Sequence, residues 1–272
     1  MAILLYILNI CFAFTLASAS ISTNVDILYG ADHIKVLDHG REMQLSLDQS
    51  SGSGIQSKNE YLFGKFDMKI KLNPKDSAGT VTSYYLSSQG SNHDELDFEF
   101  LGNLSGSPYI MQTNVFSNGG GNREVKFFLW FDPTEAFHTY TVLWNPHRII
   151  FYVDSIPVSV FKNKEKVGVP YPNKQGMRMY STIWNGSNWA TRGGTVKIDW
   201  SKAPFIANYR SYWANACVFG KYCPPTSPWM GEGLNGNQKK LLKWVRKHYM
   251  IYDYCSDIKR FPRGFPRECL RN

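Results

Sequence analysis

The sequence predicts an all-β fold: a curved antiparallel β-sandwich, followed by a short C-terminal extension that contains one helix. Two observations support this prediction. Short segments in which apolar and polar residues alternate recur between residues 34 and 200, and turn-forming Gly, Asn and Pro residues separate them. Between residues 238 and 249 the apolar residues instead recur at helical spacing. A chain of 272 residues is long enough for one large all-β domain and a tail.

The alternating segments define the strands in chain order. We predict strands at residues 34–38, 43–47, 61–72, 80–87, 95–100, 109–115, 122–130, 137–144, 149–153, 158–161 and 177–184, with the last strand character near residues 197–200. Asp38–Gly40, Ser51–Gly54 and Gly119–Gly121 are predicted turns, the second of them at the rim of a cleft. The hairpin of residues 137–153 is assigned to the outer sheet of the sandwich.

From Ser201 onward the sequence no longer shows the alternation that is typical of strands. Gln238–Tyr249 has an apolar face opposite a basic one, which predicts a short amphipathic helix, and Asn237 is the expected N-cap. We therefore divide the chain into a signal peptide (1–19), a catalytic sandwich (20–205) and an extension stapled by disulfides (206–272).

The first residues and the cysteines predict secretion. An apolar run from Ile3 to Leu16 is too short to span a membrane and is followed by Ala17-Ser18-Ala19, a cleavage pattern that predicts removal after Ala19. Four cysteines then remain, all in the last quarter of the chain: Cys217, Cys223, Cys255 and Cys269. An even number in a secreted chain predicts two disulfides, with three possible connectivities. Their spacing does not suit zinc.

Charge and histidine spacing argue against several other classes of function. The net charge is +8, but apart from Lys239–Lys247 the basic residues are dispersed and no nucleic-acid-binding motif is present. Two explanations remain open, namely contact with acidic wall polysaccharide and simple solubility. No histidine pair has metal-binding spacing, so we expect no metal and no cofactor.

The most informative segment is His93–Asn103, in which carboxylates alternate with apolar residues. On a strand, Glu95, Asp97 and Glu99 share one face while the apolar residues between them are buried on the other. A retaining glycosidase needs two carboxyl groups about 5–5.5 Å apart, whereas the Cα atoms of Glu95 and Glu99 would lie roughly 13 Å apart. A glycosidase site therefore requires a concave sheet. The alternative is a solvated acidic strand face.

The segment His93-Asp94-Glu95-Leu96-Asp97-Phe98-Glu99-Phe100-Leu101-Gly102-Asn103 resembles the active-site motif of the plant xyloglucan endotransglucosylase/hydrolases, which belong to glycoside hydrolase family sixteen. The resemblance implies that Glu95 is the nucleophile, Glu99 the acid/base and Asp97 the assisting residue between them. It also implies a jelly-roll, concanavalin-like sandwich and disulfides Cys217–Cys223 and Cys255–Cys269, which sequence proximity favours too.

The same resemblance extends over nearly all of the chain beyond about Gly52 and implies a set of substrate-binding residues. These are Gln112, Thr113, Asn114, Asn122, Arg123, Glu124, Asn188, Trp189, Gly193 and Arg260. For the amides and the charged pair, ordinary cross-strand pairing is the alternative. Asn188 departs from the family, which often has Asp there. Two N-glycosylation sequons occur, at Asn103 and Asn185, and the resemblance favours Asn103 as the acceptor.

These features predict a secreted extracellular enzyme of the cell wall and apoplast that cuts the β-1,4-glucan backbone of xyloglucan and transfers the fragment to another xyloglucan end. By the resemblance, hydrolytic members carry a longer cleft loop, and no insertion is evident near residues 162–172. An endo-hydrolase of xyloglucan or mixed-linkage glucan and a non-catalytic, lectin-like glucan-binding module are the alternatives. We expect a monomer that binds neither nucleic acid nor membrane.

Overall fold

The computed structural model describes residues 20–270. The predicted signal peptide and its cleavage position lie outside these residues. In chain order the strands are β1 Val25–Tyr29, β2 Ile34–Leu37, β3 Glu42–Leu47, β4 Ser53–Ser57, β5 Tyr61–Lys71, β6 Thr80–Ser87, β7 Glu95–Leu101, β8 Ile110–Phe116, β9 Val125–Phe128, β10 His138–Asn145, β11 Arg148–Val153, β12 Ile156–Lys162, β13 Arg178–Asn185, β14 Phe205–Val218 and β15 Met250–Asp253. The α-helices are α1 Ile21–Asn24 and α2 Gly236–His248.

The strands form two antiparallel sheets, as the sequence predicts. The first sheet has eight strands in the order β1-β4-β13-β6-β7-β8-β9-β15, and we call it the groove sheet. The second has seven strands in the order β12-β11-β10-β5-β14-β3-β2. The predicted hairpin of residues 137–153 is β10–β11 of this second sheet, which confirms its assignment.

Aromatic residues from both sheets fill the core between them. Phe98 and Phe100 of β7 are fully buried, and their rings lie 5.6 and 4.7 Å from the ring of Tyr140 on β10. Phe98 also meets Phe151 of β11 edge-on at 5.2 Å. Burial of such large rings stabilises the fold and fixes which face of β7 points away from the core.

Strand formation does not end near residue 200, so that expectation was wrong. β14 lies between β5 and β3 in the second sheet, and β15 pairs with β9 at the edge of the groove sheet. Phe205, Ala207 and Tyr209 alternate toward the core along β14, but a register shift at Ser211, where φ is +54°, interrupts the alternation in the sequence. The division of the chain at residue 205 stays a prediction.

The predicted helix is present as α2, although its N-cap is not Asn237. Asn235 caps it, because its side-chain oxygen accepts a hydrogen bond from the backbone amide of Gln238 at 2.9 Å, while the backbone N–H of Asn235 donates one to Gln238 Oε1 at 3.0 Å. The helix packs on β12 and β15 through the buried Val245. None of the helices among residues 20–270 has the length and apolar character that a membrane span needs.

The extension is joined to itself and to the sandwich by two disulfides. Cys217–Cys223 and Cys255–Cys269 are the pairs that the sequence predicted, with Cα–Cα distances of 5.3 and 5.2 Å. The first encloses the end of β14, and the second closes the segment that follows β15. The first therefore restrains the segment that leaves β14, an interior strand of the second sheet, and the second restrains the segment that leaves β15, the edge strand of the groove sheet.

Candidate active site

Strand β7 places the three acids on the face of the groove sheet that points away from the core. Leu96, Phe98 and Phe100 are fully buried on the opposite face. Side chains of the two neighbouring strands lie on the same face as the acids, because residues directly opposite each other in antiparallel strands point the same way. Glu95, Asp97 and Glu99 are opposite Ser87, Tyr85 and Ser83 of β6, and opposite Phe116, Asn114 and Gln112 of β8.

The acids line a groove and are not spread over an open surface. This pocket has a volume of about 300 Å³ and is lined by Leu28, Tyr29, Ser83, Tyr85, Glu95, Asp97, Glu99, Thr182 and Trp184. Glu95 and Glu99 are partly exposed to it, whereas Asp97 is buried beneath them. The groove thus excludes much of the solvent that would otherwise screen the three charges.

Asp97, the middle acid, has the least access to water. Its Oδ1 has no hydrogen-bond partner among residues 20–270, and its carboxyl group interacts with that of Glu95 through a side-chain hydrogen bond. Burial raises the pKa of Asp97 well above its usual range, and repulsion from Glu95 and Glu99 raises it further. Asp97 is therefore suited to hold a proton that it can share with Glu95.

Glu99 has a pKa close to neutrality. Burial raises its pKa to about 7, while a hydrogen bond from Gln112 Nε2 to its Oε2 opposes that rise. A carboxyl group with such a pKa can both donate and accept a proton at moderate pH, which is what a general acid/base requires.

Glu95 is held by partners that favour its ionised form. Burial raises its pKa, but a hydrogen bond from Ser87 and the nearby ring of His93 act in the opposite direction. His93 Nε2 lies 4.0 Å from Glu95 Oε2, and its ring stacks on Phe116 at 5.2 Å. His93 Nδ1 is 2.9 Å from the carbonyl oxygen of Gly90, which anchors the ring at the start of the strand.

Three of the predicted binding residues meet beyond β8. Arg260, from the extension, donates a hydrogen bond of 2.6 Å to Glu124 Oε2 and another to Asn122 Oδ1. It also donates to the hydroxyl of Tyr252 on β15 at 3.3 Å. The extension therefore lengthens the groove sheet and adds a cation and hydroxyl groups to its edge.

The side chains of Thr113 and Arg123 are not part of the groove surface. Thr113 is buried opposite Phe98 and so belongs to the core face of the sheet, while Gln112 and Asn114 on either side face the groove. Arg123 bonds Glu268 at 2.6 Å and the carbonyl oxygens of Val115 and Gly120. Their side chains have structural partners, and β9 itself begins only after Glu124.

The other predicted cluster lies in the loop after β13. Trp189 is 37% exposed and its ring is 6.0 Å from that of Trp184, which lines the groove. Asn188 is exposed beside it, and Gly193 has a φ of +66° with open space around its Cα. Since β13 lies two strands from β7 on one side and β9 two strands away on the other, the two clusters flank the acids.

Sequence reasoning missed the groove residues of β6 and β13. Tyr85 stacks on Tyr180 at 5.1 Å beside Asp97, and Trp184 donates a hydrogen bond to Ser83 at 3.4 Å. Both strands were predicted, so alternation could have placed these residues on one face. Which strands neighbour β7, however, depends on long-range pairing that local pattern does not reveal.

Neither a glycan nor a metal is evident from the side chains themselves. Asn103 follows β7, where its Nδ2 donates to the carbonyl oxygen of Pro108 at 3.0 Å, and its glycosylation stays a prediction. Among residues 20–270, no group of three His, Cys, Asp or Glu side chains is arranged to hold a metal ion.

An antiparallel sandwich with an acid-walled groove defines a class of glycan-processing enzymes. Residues 21–202 match the glycosyl hydrolases family 16, and residues 224–269 match the xyloglucan endo-transglycosylase C-terminus. The chain is 55% identical over 252 residues to xyloglucan endotransglucosylase protein 1 of Diospyros kaki, covering 90% of this chain and 86% of the relative. It is also 55% identical over 255 residues to xyloglucan endotransglucosylase/hydrolase protein 15 of Arabidopsis thaliana, covering 91% and 88%.

Solved structures share the fold. The β-glucanase of Bacillus licheniformis superimposes with a TM-score of 0.57 at 24% identity, over 71% of this chain and 92% of that one. The chain belongs to glycosyl hydrolases family 16 and, within it, to the xyloglucan endotransglucosylase/hydrolases.

Proposed function

We propose that the protein is a retaining transglycosylase that cleaves the β-1,4-glucan backbone of xyloglucan and transfers the fragment to another xyloglucan end. The observation that carries the proposal is the acidic wall of the groove, where Glu99 has a pKa of about 7 and Glu95 is held by Ser87 and His93. Family membership supplies the substrate class, because the two relatives described above bear xyloglucan in their names.

In the first step Glu95 attacks the anomeric carbon and forms a covalent bond to it. The bond between that carbon and the glycosidic oxygen breaks, and Glu99 gives its proton to the leaving sugar. In the second step Glu99 takes a proton from the hydroxyl group of an acceptor sugar, the acceptor oxygen bonds to the anomeric carbon, and Glu95 is released. Asp97 holds a proton against Glu95 as the charge of Glu95 changes.

The surroundings of the acids suit a long neutral glucan. Tyr85 and Trp184 offer ring faces, and Gln112 and Asn114 offer amides from the adjoining strand. Trp189, with Asn188 and Gly193, extends one end of the groove, and Arg260, with Asn122 and Glu124, extends the other. Thr113 and Arg123 contribute through the backbone and packing that hold their neighbours.

The place of action follows from the substrate. We infer that the protein is secreted into the cell wall, where xyloglucan is found, and its two disulfides require an oxidising compartment. We infer that it works as a monomer on xyloglucan donor and acceptor, without nucleic acid or membrane.

Transfer and hydrolysis share the first step, so products distinguish them. Xyloglucan should be analysed by size with and without added xyloglucan oligosaccharides. Without added oligosaccharide a transferase exchanges chain ends and leaves the mean size unchanged, and with it the polymer shortens as the oligosaccharide is incorporated. An endo-hydrolase shortens the polymer in both cases and incorporates none. The second result would replace the proposal with the hydrolase.

The nucleophile is tested by Glu95→Ala, assayed with xyloglucan and a labelled oligosaccharide acceptor. Loss of the covalent step should reduce transfer by roughly 10³-fold or more. Glu135→Ala, at an exposed carboxylate in the loop before β10, is the matched control and should transfer normally. Full transfer by Glu95→Ala would contradict the mechanism, and a wild-type protein that binds but never turns over would be a lectin.

A further inference from the structure

Helix α2 carries a dense basic surface that the proposed reaction does not use. Its sequence contains five Lys and Arg residues and His248 but no Asp or Glu. Lys239, Lys240, Lys243 and Lys247 are all exposed. We call these four the lysine face.

The lysine face is unusual because it is unpaired and self-repelling. Lys239, Lys243 and Lys247 follow one another at i, i+4 and i+8, so their ammonium groups share one side of the helix, where like charges destabilise it. Arg246 has a partner, with Nη2 3.7 Å from Asp253. None of the four lysine side chains forms an ion pair or a hydrogen bond with any residue in the range 20–270. Such a surface is stabilised when an anionic partner covers it.

An aromatic ring adjoins the lysine face. Trp244 is i+4 from Lys240 and remains 40% exposed, although it packs on Trp130 at 6.1 Å and on Tyr249 at 5.1 Å. Its ring is therefore held in place with one side open. A ring fixed beside a row of cations suits a polymer that alternates carboxylates with the apolar faces of sugar rings.

The position of α2 fits a polysaccharide better than a lipid surface. The helix packs on β12 and β15, which are edge strands of the two sheets, and β15 also supplies Tyr252 at the end of the groove. A helix that lies on a membrane exposes a wide apolar face. Here the apolar face is turned toward the sandwich, where Val245 is fully buried, and the exposed apolar side chains are Leu241 and Trp244.

We propose that the lysine face of α2, with Trp244 beside it, is a docking site for a carboxylate-bearing polysaccharide of the polyuronate class. The site is separate from the catalytic groove. It would hold the enzyme on an acidic polymer while the groove acts on a neutral one.

The test measures binding of the full-length protein to polygalacturonate at low ionic strength. The variant Lys239→Gln/Lys243→Gln/Lys247→Gln should bind about tenfold more weakly and lose much of the salt dependence of binding. Its helix should persist, because Gln and Lys have similar helix propensities. The arginine triple at the same positions keeps the charge and should bind like the wild type.

A charge-matched control separates the site from net charge. Lys35→Gln/Lys75→Gln/Lys202→Gln removes three exposed charges, of which Lys35 lies on β2, at the opposite edge of the second sheet from β12. This control should bind within twofold of the wild type. All variants should act normally on soluble neutral xyloglucan.

Several results would overturn the proposal. Equal losses of affinity for polygalacturonate in the control and the α2 variant would mean that net charge alone drives binding. Wild-type affinity in the α2 variant would exclude the lysine face as the docking site. Equal affinity for fully methyl-esterified polygalacturonate would exclude carboxylate recognition, and tighter binding to vesicles of anionic phospholipid or to duplex DNA would assign the face to another class of partner.

Discussion

At the scale of single residues, one strand provides three carboxyl groups with three different environments. Asp97 is buried with no partner for Oδ1 among residues 20–270, Glu99 is half-buried beside an amide, and Glu95 is half-buried beside a hydroxyl and an imidazole. Chemically similar groups thereby acquire different proton affinities. The division of labour between nucleophile and acid/base follows from these neighbours.

Burial raises the pKa of Glu99 and the hydrogen bond from Gln112 opposes that rise, which Gln112→Leu tests. Loss of the hydrogen bond removes an interaction that lowers the pKa, so the pKa should rise above its present value of about 7. A general acid works only while protonated, and the fall in kcat/KM at high pH should therefore move to higher pH.

The control for this shift is the next residue along the strand. Thr113→Val alters a core-facing residue and should leave the high-pH limb where it is. If the high-pH limb of kcat/KM stays in place or moves to lower pH in Gln112→Leu, the amide does not lower the pKa of Glu99. The measurement is kcat/KM between about pH 4 and pH 9.

Asp97 should reduce stability at high pH, because its pKa is raised in the folded state. Its contribution to the free energy of unfolding is full below the unfolded pKa near 4 and is lost as pH rises through the folded pKa. Asp97→Asn cannot ionise, so its melting temperature should exceed that of the wild type by a few degrees at about pH 8 and by none at about pH 3.5. Equal shifts at both pH values would contradict this account, and activity should fall in the variant.

Alternation in the sequence was sufficient to identify the three acids, but not every residue around them. Gln112 and Asn114 follow the same rule and do face the groove. Arg123 does not, because Asn122 has a φ of +66° and the chain turns before β9 begins. A positive φ at a non-glycine residue depends on the surrounding structure and leaves little trace in local pattern.

At the scale of elements, β6 was predictable from the sequence and β14 was not. β6 was predicted with its observed limits, since small and apolar residues run through Thr80–Ser87. β14 was missed because its outward residues include the apolar Ile206 and the exposed Trp213 and because a register shift at Ser211 interrupts the alternation, so that only its pairing with β5 and β3 makes it a strand. Tertiary pairing overrides local preference in such segments.

The N-terminus of α2 allows a direct test of capping. Asn235→Ala removes the side-chain oxygen that accepts from the Gln238 amide, but keeps the backbone N–H that donates to Gln238 Oε1, and should cost about 1 kcal/mol of helix stability. Asn237→Ala, at the N-cap position that the sequence predicted, should change helix stability by only a few tenths of a kcal/mol. Hydrogen exchange of the first-turn amides reports the difference, and equal effects at the two positions would contradict the assignment of Asn235.

At the scale of the whole molecule, the extension is bound to the sandwich by polar contacts from the loop that its second disulfide closes. Arg123 and Glu268 form an ion pair of 2.6 Å in which both side chains are 10% exposed. Arg260 reaches Glu124 and Asn122 from the loop that Cys255–Cys269 closes. The position of a groove cation thus depends on a covalent link outside the groove.

Removal of that link should therefore affect substrate binding as well as stability. Cys255 and Cys269 are 14 residues apart, and opening a loop of this size should destabilise the extension by about 3 kcal/mol. In Cys255→Ser/Cys269→Ser the loop that carries Arg260 gains freedom, so KM for xyloglucan should rise while kcat changes little.

The other disulfide provides the comparison for this experiment. Cys217→Ser/Cys223→Ser opens a loop of sequence separation 6 beside β14, away from the acids, and should lower the melting temperature without raising KM. Steady-state kinetics and thermal melts of both double variants decide the matter. If KM rises equally in the two, or if kcat rather than KM changes in Cys255→Ser/Cys269→Ser, the extension does not position Arg260 for binding. Since the sandwich supplies the acids and the extension supplies this cation, separate effects on kcat and KM are what a groove shared between them requires.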